Sequence, residues 1–380
     1  MSWFCLVLGI LWLLATIHDL LAVRCLPDLP PLPPSAPRRA VTVVMAVRDD
    51  AAHVADAVQR LLAQHHLDLR LVVTDDRSTD GTGTILADLA ATDARLTVVS
   101  VRELPPDWLG KSHALHLGAA NVTTPWLLFA DGDARLSPDA LARAIDAAEA
   151  TGTDHVSLLP THRQTSFLGQ ACLLGFQQVV QRRVRAVNRT PQRSYVGTGA
   201  FNLVRTSAYR AIGGHLPLRL EVVDDVFLGY LLFRAGHRSR VWFAARDLEI
   251  DWGGTPRRLL QVVEKNMFAM LRFRTWLALL LLGVTTLGLG ATFAAPCYGG
   301  ASGWFAFGAY LATAAPALLL ARRLQWSPWA AVLVPFARLW LPIALLNSTL
   351  VTLRQGGVRW RGTFYPLAQL RRGQVQVPLG

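Results

Sequence analysis

Four acidic clusters punctuate the 380-residue chain: Asp49-Asp50, Asp75-Asp76, Asp131-Gly132-Asp133 and Asp224-Asp225. Carboxylates crowded on one rim repel unless a cation, hydroxyls or N–H groups engage them. The Asp131-x-Asp133 spacing presents two carboxylates to one divalent ion. Mg²⁺ and Mn²⁺ prefer hard oxygen donors, and Mg²⁺ is typically held by one or two carboxylates plus substrate phosphates. An ion so placed stabilises a leaving diphosphate as a Lewis acid. The clusters therefore point to a nucleoside-diphosphate substrate and a Mg²⁺ or Mn²⁺ cofactor.

The elements that must position them are legible around each cluster. Val41–Val47, Leu69–Thr74, Leu96–Val101 and Trp126–Ala130 read as strands, and the first, second and fourth end at an acidic cluster. Helical patterns over Ala51–His65, Asp80–Ala91 and Ser112–Ala120 alternate with them, with Ser78 or Thr79 expected to cap the second. Ser137-Pro138 opens a further helix, serine as cap and proline in the first turn. This alternation predicts an α/β fold, a mostly parallel sheet with helices on both faces. Such sheets bind ligands at the carboxyl ends of their strands. There is no G-x-x-x-x-G-K-[ST] loop and no G-x-G-x-x-G after the first strand, which excludes a P-loop enzyme and disfavours a dinucleotide fold.

Composition adds a membrane. The chain is 52% hydrophobic and only 17% charged, against about 25% in ordinary soluble domains. Residues 1–23 read as a transmembrane anchor, long enough for a bilayer core of about 30 Å. Arginines follow the anchor and none precedes it, which predicts a cytoplasmic location for the next domain. A proline-rich linker, 24–39, comes next. Residues 275–321 contain no Asp, Glu, Lys, Arg or His and read as a two-span hairpin turning near Pro296–Gly303. The segment 329–353 is apolar but broken by Pro335, Arg338 and Pro342; crossing and re-entry both fit it. The C-terminal transmembrane region is thus 275–353, followed by a basic tail, 354–380. The net charge of +12 sits largely beside apolar runs without interleaved aromatic motifs, so a nucleic-acid partner is not expected. Cys5, Cys25, Cys172 and Cys297 form no C-x-x-C pair, against structural zinc or a disulfide framework.

Arg48-Asp49-Asp50, Asp75 to Thr82, Gly110-Lys111, Asp131-Gly132-Asp133 and Asp224-Asp225 before Leu228-Gly229, in this order, resemble the motifs of family 2 glycosyltransferases. The resemblance covers roughly 40–245. It implies a GT-A fold, a nucleotide-sugar donor, expected to be UDP-linked, and inversion at the anomeric carbon. Carried over by motif, Asp50, Asp75, Asp76, Lys111 and Asp131 bind the nucleotide sugar, with Asp75 on the base. Asp133 and Asp131 hold the metal, Asp133 the more direct ligand. Asp225 is the general base with Asp224 in support, and Gly199 and Ala200 lie on the acceptor side. Asp49-Asp50 and Asp224-Asp225 are departures from the commoner Asn-Glu and Glu-Asp. No Q-x-x-R-W follows the base, so one transfer per acceptor is expected rather than repeated extension.

The domain so implied, 40–256, precedes a basic amphipathic stretch, 257–274, expected at the membrane surface with Lys265 beside the acceptor. Phe167–Val187 has a similar apolar and basic mixture. The plan resembles ceramide glucosyltransferases and bacterial glycosyltransferases associated with hopanoids or carotenoids. The tail Trp360 to Tyr365 is similar to that of the last group, which implies a cytoplasmic tail near the active site. The reading is a multi-pass enzyme of the cell membrane, its catalytic domain cytoplasmic, moving one sugar to a lipid hydroxyl. Alternatives are a polyprenyl-phosphate glycosyltransferase or short-polysaccharide synthase, and a non-catalytic scaffold.

Overall fold

The computed structural model describes residues 2–163 and 165–377. After helix α1 (Ser2–Arg24) the chain alternates β1 (Arg39–Val47), α2 (Val54–Leu62), β2 (Leu67–Asp76), α3 (Thr82–Thr92), β3 (Leu96–Val101), α4 (Gly110–Ala119) and β4 (Trp126–Phe129). Then come β5 (Arg135–Leu136), α5 (Ala140–Thr151), β6 (His155–Leu159), β7 (Thr161–His162), α6 (Phe167–Arg189), β8 (Asn202–Arg205), α7 (Thr206–Ala211), α8 (Asp224–Arg234), β9 (Ser239–Phe243) and β10 (Leu248–Ile250). The remainder is helical: α9 (Pro256–Met270), α10 (Thr275–Tyr298), α11 (Gly300–Leu311), α12 (Ala314–Leu324), α13 (Pro328–Val332), α14 (Val334–Ala337) and α15 (Trp340–Gln355). A hairpin, β11 (Gly357–Trp360) and β12 (Thr363–Pro366), and a short α16 (Leu367–Gly373) end it.

These elements form two compact units. The α/β unit comprises 27–162, 186–251 and 359–380; the helical unit comprises 1–26, 163–185 and 252–358. In the α/β unit seven strands run in the order β3-β2-β1-β4-β8-β6-β9. The β-branched, almost wholly buried β1 pairs in parallel with β2 on one side and β4 on the other. The strand order therefore reverses beside β1, where α/β sheets open a crevice for ligands. Helix α4 crosses this centre closely because Gly118 has no side chain: a Cβ there would lie 2.6 Å from Val44 and 2.8 Å from Thr74. The sheet is mixed, since β8 runs antiparallel between β4 and β6.

Two expected caps differ. Gly81, in a left-handed conformation at φ 94°, precedes α3, and Asp139 precedes α5. Thr82 satisfies Asp80 instead, while Ser78 accepts the N–H of Asp49, so the polar residues tie neighbouring loops together.

Among the described residues of the helical unit, four helices or helix pairs are long and apolar enough to cross a membrane: Ser2–Arg24, Thr275–Tyr298, Gly300–Leu324 and Val334–Gln355. The last is interrupted at Arg338–Leu339. Asp19, fully buried on α1, accepts hydrogen bonds from Arg182 of α6 at 2.5 and 2.9 Å and from Arg338 at 3.4 Å. A buried carboxylate is tolerable only when paired in this way. Helix α9, opened by Thr255 and Pro256, packs Leu259 and Val263 against Cys172 and Leu173 of α6 and Ala344 of α15. Its apolar face is thus occupied by protein neighbours.

Candidate active site

The loops at the carboxyl ends of β1, β2 and β4, together with the first turn of α8, carry the acidic clusters. Lys111, in the first turn of α4, stands between two of them. Its Nζ donates to Asp131 Oδ1 at 2.7 Å and stands 3.8 Å from Asp224 Oδ1. Burial works against its charge, but Asp131, Asp224 and Asp225 outweigh that and raise its pKa. The same ammonium thus gathers carboxylates from two elements far apart in sequence.

Asp225 is half-buried beside it, and desolvation, then Asp224, push its pKa up to about 6. Its Oδ1 accepts the N–H of Val226 at 2.9 Å. A carboxylate poised in this range takes up a proton readily near neutral pH while remaining largely ionised there. Asp133 is likewise raised to about 6, by desolvation and then by Asp131, although its side chain still meets solvent. Among the described residues no group of three or more His, Cys, Asp or Glu side chains is arranged to hold a metal. Asp131 and Asp133 nonetheless offer hard oxygen donors whose repulsion a cation would relieve. This pair fits Mg²⁺ or Mn²⁺ completed by phosphate and water.

The other carboxylates are held within the loops. Asp75 accepts the N–H of Ser78 at 3.2 Å. Asp76 forms a two-pronged pair with Arg77, 2.7 and 3.1 Å, and lies 4.0 Å from Arg48. The backbone N–H of Asp50 donates to Thr82 at 2.9 Å, and its Oδ1 meets His53. Asp49, at φ 47°, accepts from Thr79 and shapes the turn. On the far side of the pocket a Cβ on Gly199 would lie 2.5 Å from Asp131 Oδ2, so a larger residue there would displace the Asp131 carboxylate. Ala200 is buried next to it. Lys265 belongs to the helical unit, where it donates to Asn266 Oδ1 at 2.9 Å; it is not among the residues gathered in the α/β unit.

Two polar residues of the pocket escaped the sequence reading, Asn202 and His215. Asn202 donates to the Asp225 carbonyl at 3.2 Å and meets His155, linking β8 to the start of α8. His215 is buried and its pKa falls to about 3, chiefly from desolvation, so the ring is neutral. Tyr209 Oη accepts the His215 backbone N–H at 3.1 Å and is hydrogen-bonded to Nδ1 of the same residue at 2.8 Å, which holds the ring in place. The adjacent Gly213-Gly214 marked the segment, but a lone histidine carries no spacing signal.

With this geometry in hand, comparison with known proteins assigns a domain within the chain. The family model described as Glycosyl transferase family 2 matches residues 42–213. The chain carries a family 2 glycosyltransferase domain. EpsE of Bacillus subtilis (strain 168) is 24% identical over 206 residues, 52% of this chain and 68% of that protein. The succinoglycan biosynthesis protein ExoA of Rhizobium meliloti (strain 1021) is 26% identical over 207 residues, 53% of this chain and 59% of its own length. In structure, the mannosyltransferase PcManGT from Pyrobaculum calidifontis, in complex with GDP-Man and Mn²⁺, superposes with TM-score 0.56 at 20% identity. That match covers 91% of this chain and 99% of the other. It shows that the fold of the glycosyltransferase domain is of the GT-A type, with its mixed sheet between helices.

Proposed function

We propose that this chain is a membrane-anchored inverting glycosyltransferase that moves one sugar from a nucleotide-diphosphate sugar to a lipid hydroxyl at the cytoplasmic face. One observation carries the reading: Lys111 gathers Asp131, Asp224 and Asp225 around one pocket at the point where strand order reverses. Asp225 takes the proton of the acceptor hydroxyl as its oxygen attacks the anomeric carbon, and the nucleoside diphosphate departs from the opposite face. Lys111 stabilises the departing charge, and Asp75 receives the base. Asp131 and Asp133 would hold Mg²⁺ or Mn²⁺, which when bound supplies Lewis-acid stabilisation of the diphosphate. Asn202 holds the Asp225 backbone while the side chain acts.

The lipid acceptor is supported by the apolar helices joined to this domain at both ends. ExoA's role in succinoglycan biosynthesis favours a second reading, in which the hydroxyl belongs to a lipid-carried saccharide or the acceptor is a polyprenyl phosphate. Purified protein in detergent would be given Mn²⁺ or Mg²⁺, a panel of labelled UDP- and GDP-sugars, and lipid extract, with Asp225→Asn in parallel. Label in an organic-extractable product with wild type alone is expected, and the product's mass names sugar and acceptor. A water-soluble polymer, or no turnover, would overturn the lipid reading.

A further inference from the structure

The end of the chain lies along the loops that carry the acidic clusters. Arg361 and Gly362, at φ 46° and 75°, turn the β11–β12 hairpin. Arg361 donates to the carbonyl of Arg48 at 3.0 Å, and Arg48 in turn donates to Thr363 at 3.1 Å. Gln369 donates to Asp107 at 3.0 Å, and the N–H of Val375 donates to the buried Glu221. Residues 359–377 are therefore fastened after β1, before α4 and before α8.

The central contact is Tyr365. Its side chain is buried, and its hydroxyl accepts the N–H of Gly110 at 3.1 Å, beside the Arg77 guanidinium. The first N–H groups of a helix have no partner within it. Leu109, the residue preceding α4, has no side-chain oxygen to supply one. Gly110 is also confined from the other side, since a Cβ there would lie 2.3 Å from Asp76 Oδ2 and 3.0 Å from Arg77. The start of α4 is thus held between the Asp76–Arg77 pair and a hydroxyl 255 residues away in sequence. The residue after Gly110 is Lys111.

We propose that Tyr365 is a positioning residue for the donor: through the N–H of Gly110 it fixes the first turn of α4 and hence the place of the Lys111 ammonium. This rests on the reading of the pocket as a nucleotide-sugar site. The phenol acts by orientation alone, and Lys111 is the group that meets the diphosphate.

The test uses the full chain in detergent with Mn²⁺ and measures UDP and GDP binding by calorimetry and donor KM and kcat by turnover. Tyr365→Phe keeps the ring and removes the acceptor oxygen. It is expected to weaken nucleotide binding and raise donor KM about tenfold, the scale of one hydrogen bond, with kcat changed less. In a Lys111→Met background the same substitution should add almost nothing, because both act through one ammonium. A merely structural role would give additive losses. Hydrogen exchange on wild type supplies a readout independent of any variant: nucleotide should slow exchange in peptides covering 108–116 and 361–369 together. Protection of the first alone, or tight binding by Tyr365→Phe equal to wild type, overturns the role of Tyr365. Absence of nucleotide binding by wild type overturns the donor reading, and the Tyr365 role with it.

Discussion

Asp225 and Lys111 set the chemistry expected of single residues. Asp225 must be ionised to accept a proton, and burial with Asp224 beside it raises its pKa to about 6. Turnover should therefore be full at higher pH and fall as pH drops through about 6, read from kcat/KM against pH. Lys111 lowers the pKa of Asp225, so Lys111→Met should move that limb to higher pH as well as weaken donor binding. Asp225→Asn should reduce turnover by roughly 10²–10⁴ while nucleotide binding persists. The same substitution also carries a stability prediction. A carboxyl whose pKa is raised on folding favours the folded state at low pH and costs stability as pH rises through the folded value. Removing its charge should thus raise the unfolding temperature at pH 7.5 by a few degrees, about 2–4 °C per kcal/mol for a domain of this size. An unchanged or lower midpoint would show that Asp225 is not strained by its surroundings. The aspartates were legible because they recur at strand ends; Asn202 and His215 were not, because a single buried polar residue in an apolar run has no periodicity to betray its partner.

At the scale of elements, hydrophobic runs located β1 to β4 well: β1 is a β-branched, mostly buried run, β4 is buried throughout, and β2 begins with alternating buried and exposed residues. The antiparallel β8 could not be read, because sheet order and direction depend on contacts distant in sequence. Its approach loop is where packing is tightest. A Cβ on Gly197 would lie 1.8 Å from the Asp225 carbonyl, and one on Gly229 1.7 Å from that of Val196. The 196–199 loop is therefore seated directly on the backbone of α8, which aims Asp225. Gly197→Ala should lower unfolding temperature and turnover together, since overpacking of this kind typically costs about 1–3 kcal/mol. Gly283→Ala, in α10 with nothing within 4 Å of the added atom, is the control and should be neutral in both measurements. A Gly197→Ala protein with normal stability and activity would mean that α8 shifts freely, and that the aim of Asp225 is set elsewhere.

The whole molecule raises a question of parity. Residues 27–162, 186–251 and 359–377 belong to one α/β unit, so if the apolar segments span a membrane, the chain between 251 and 359 crosses it an even number of times. Three apolar segments lie between: α10, α11–α12 and α13–α15. On the membrane reading proposed above, one of them does not cross. The segment from Pro328 to Gln355 is the one broken into three helices, although Val334–Gln355 taken together is long and apolar enough to cross. Arg338, at its interruption, pairs with Asp19, within two turns of the Arg24 end of α1, from which the chain enters the α/β unit. We propose that this interrupted segment is the one that does not cross, with α10 and α11–α12 as the crossing hairpin. Sequence alone left this segment open, because apolarity measures affinity for lipid and says nothing of where the following residues dock. In a cysteine-free background, cysteines placed at Glu103 and Arg372 should react with a membrane-impermeant maleimide from the same side of sealed vesicles, and one at Ala301 from the other. Labelling of Glu103 and Arg372 positions from opposite sides would require three crossings, and the tail could not then reach Gly110.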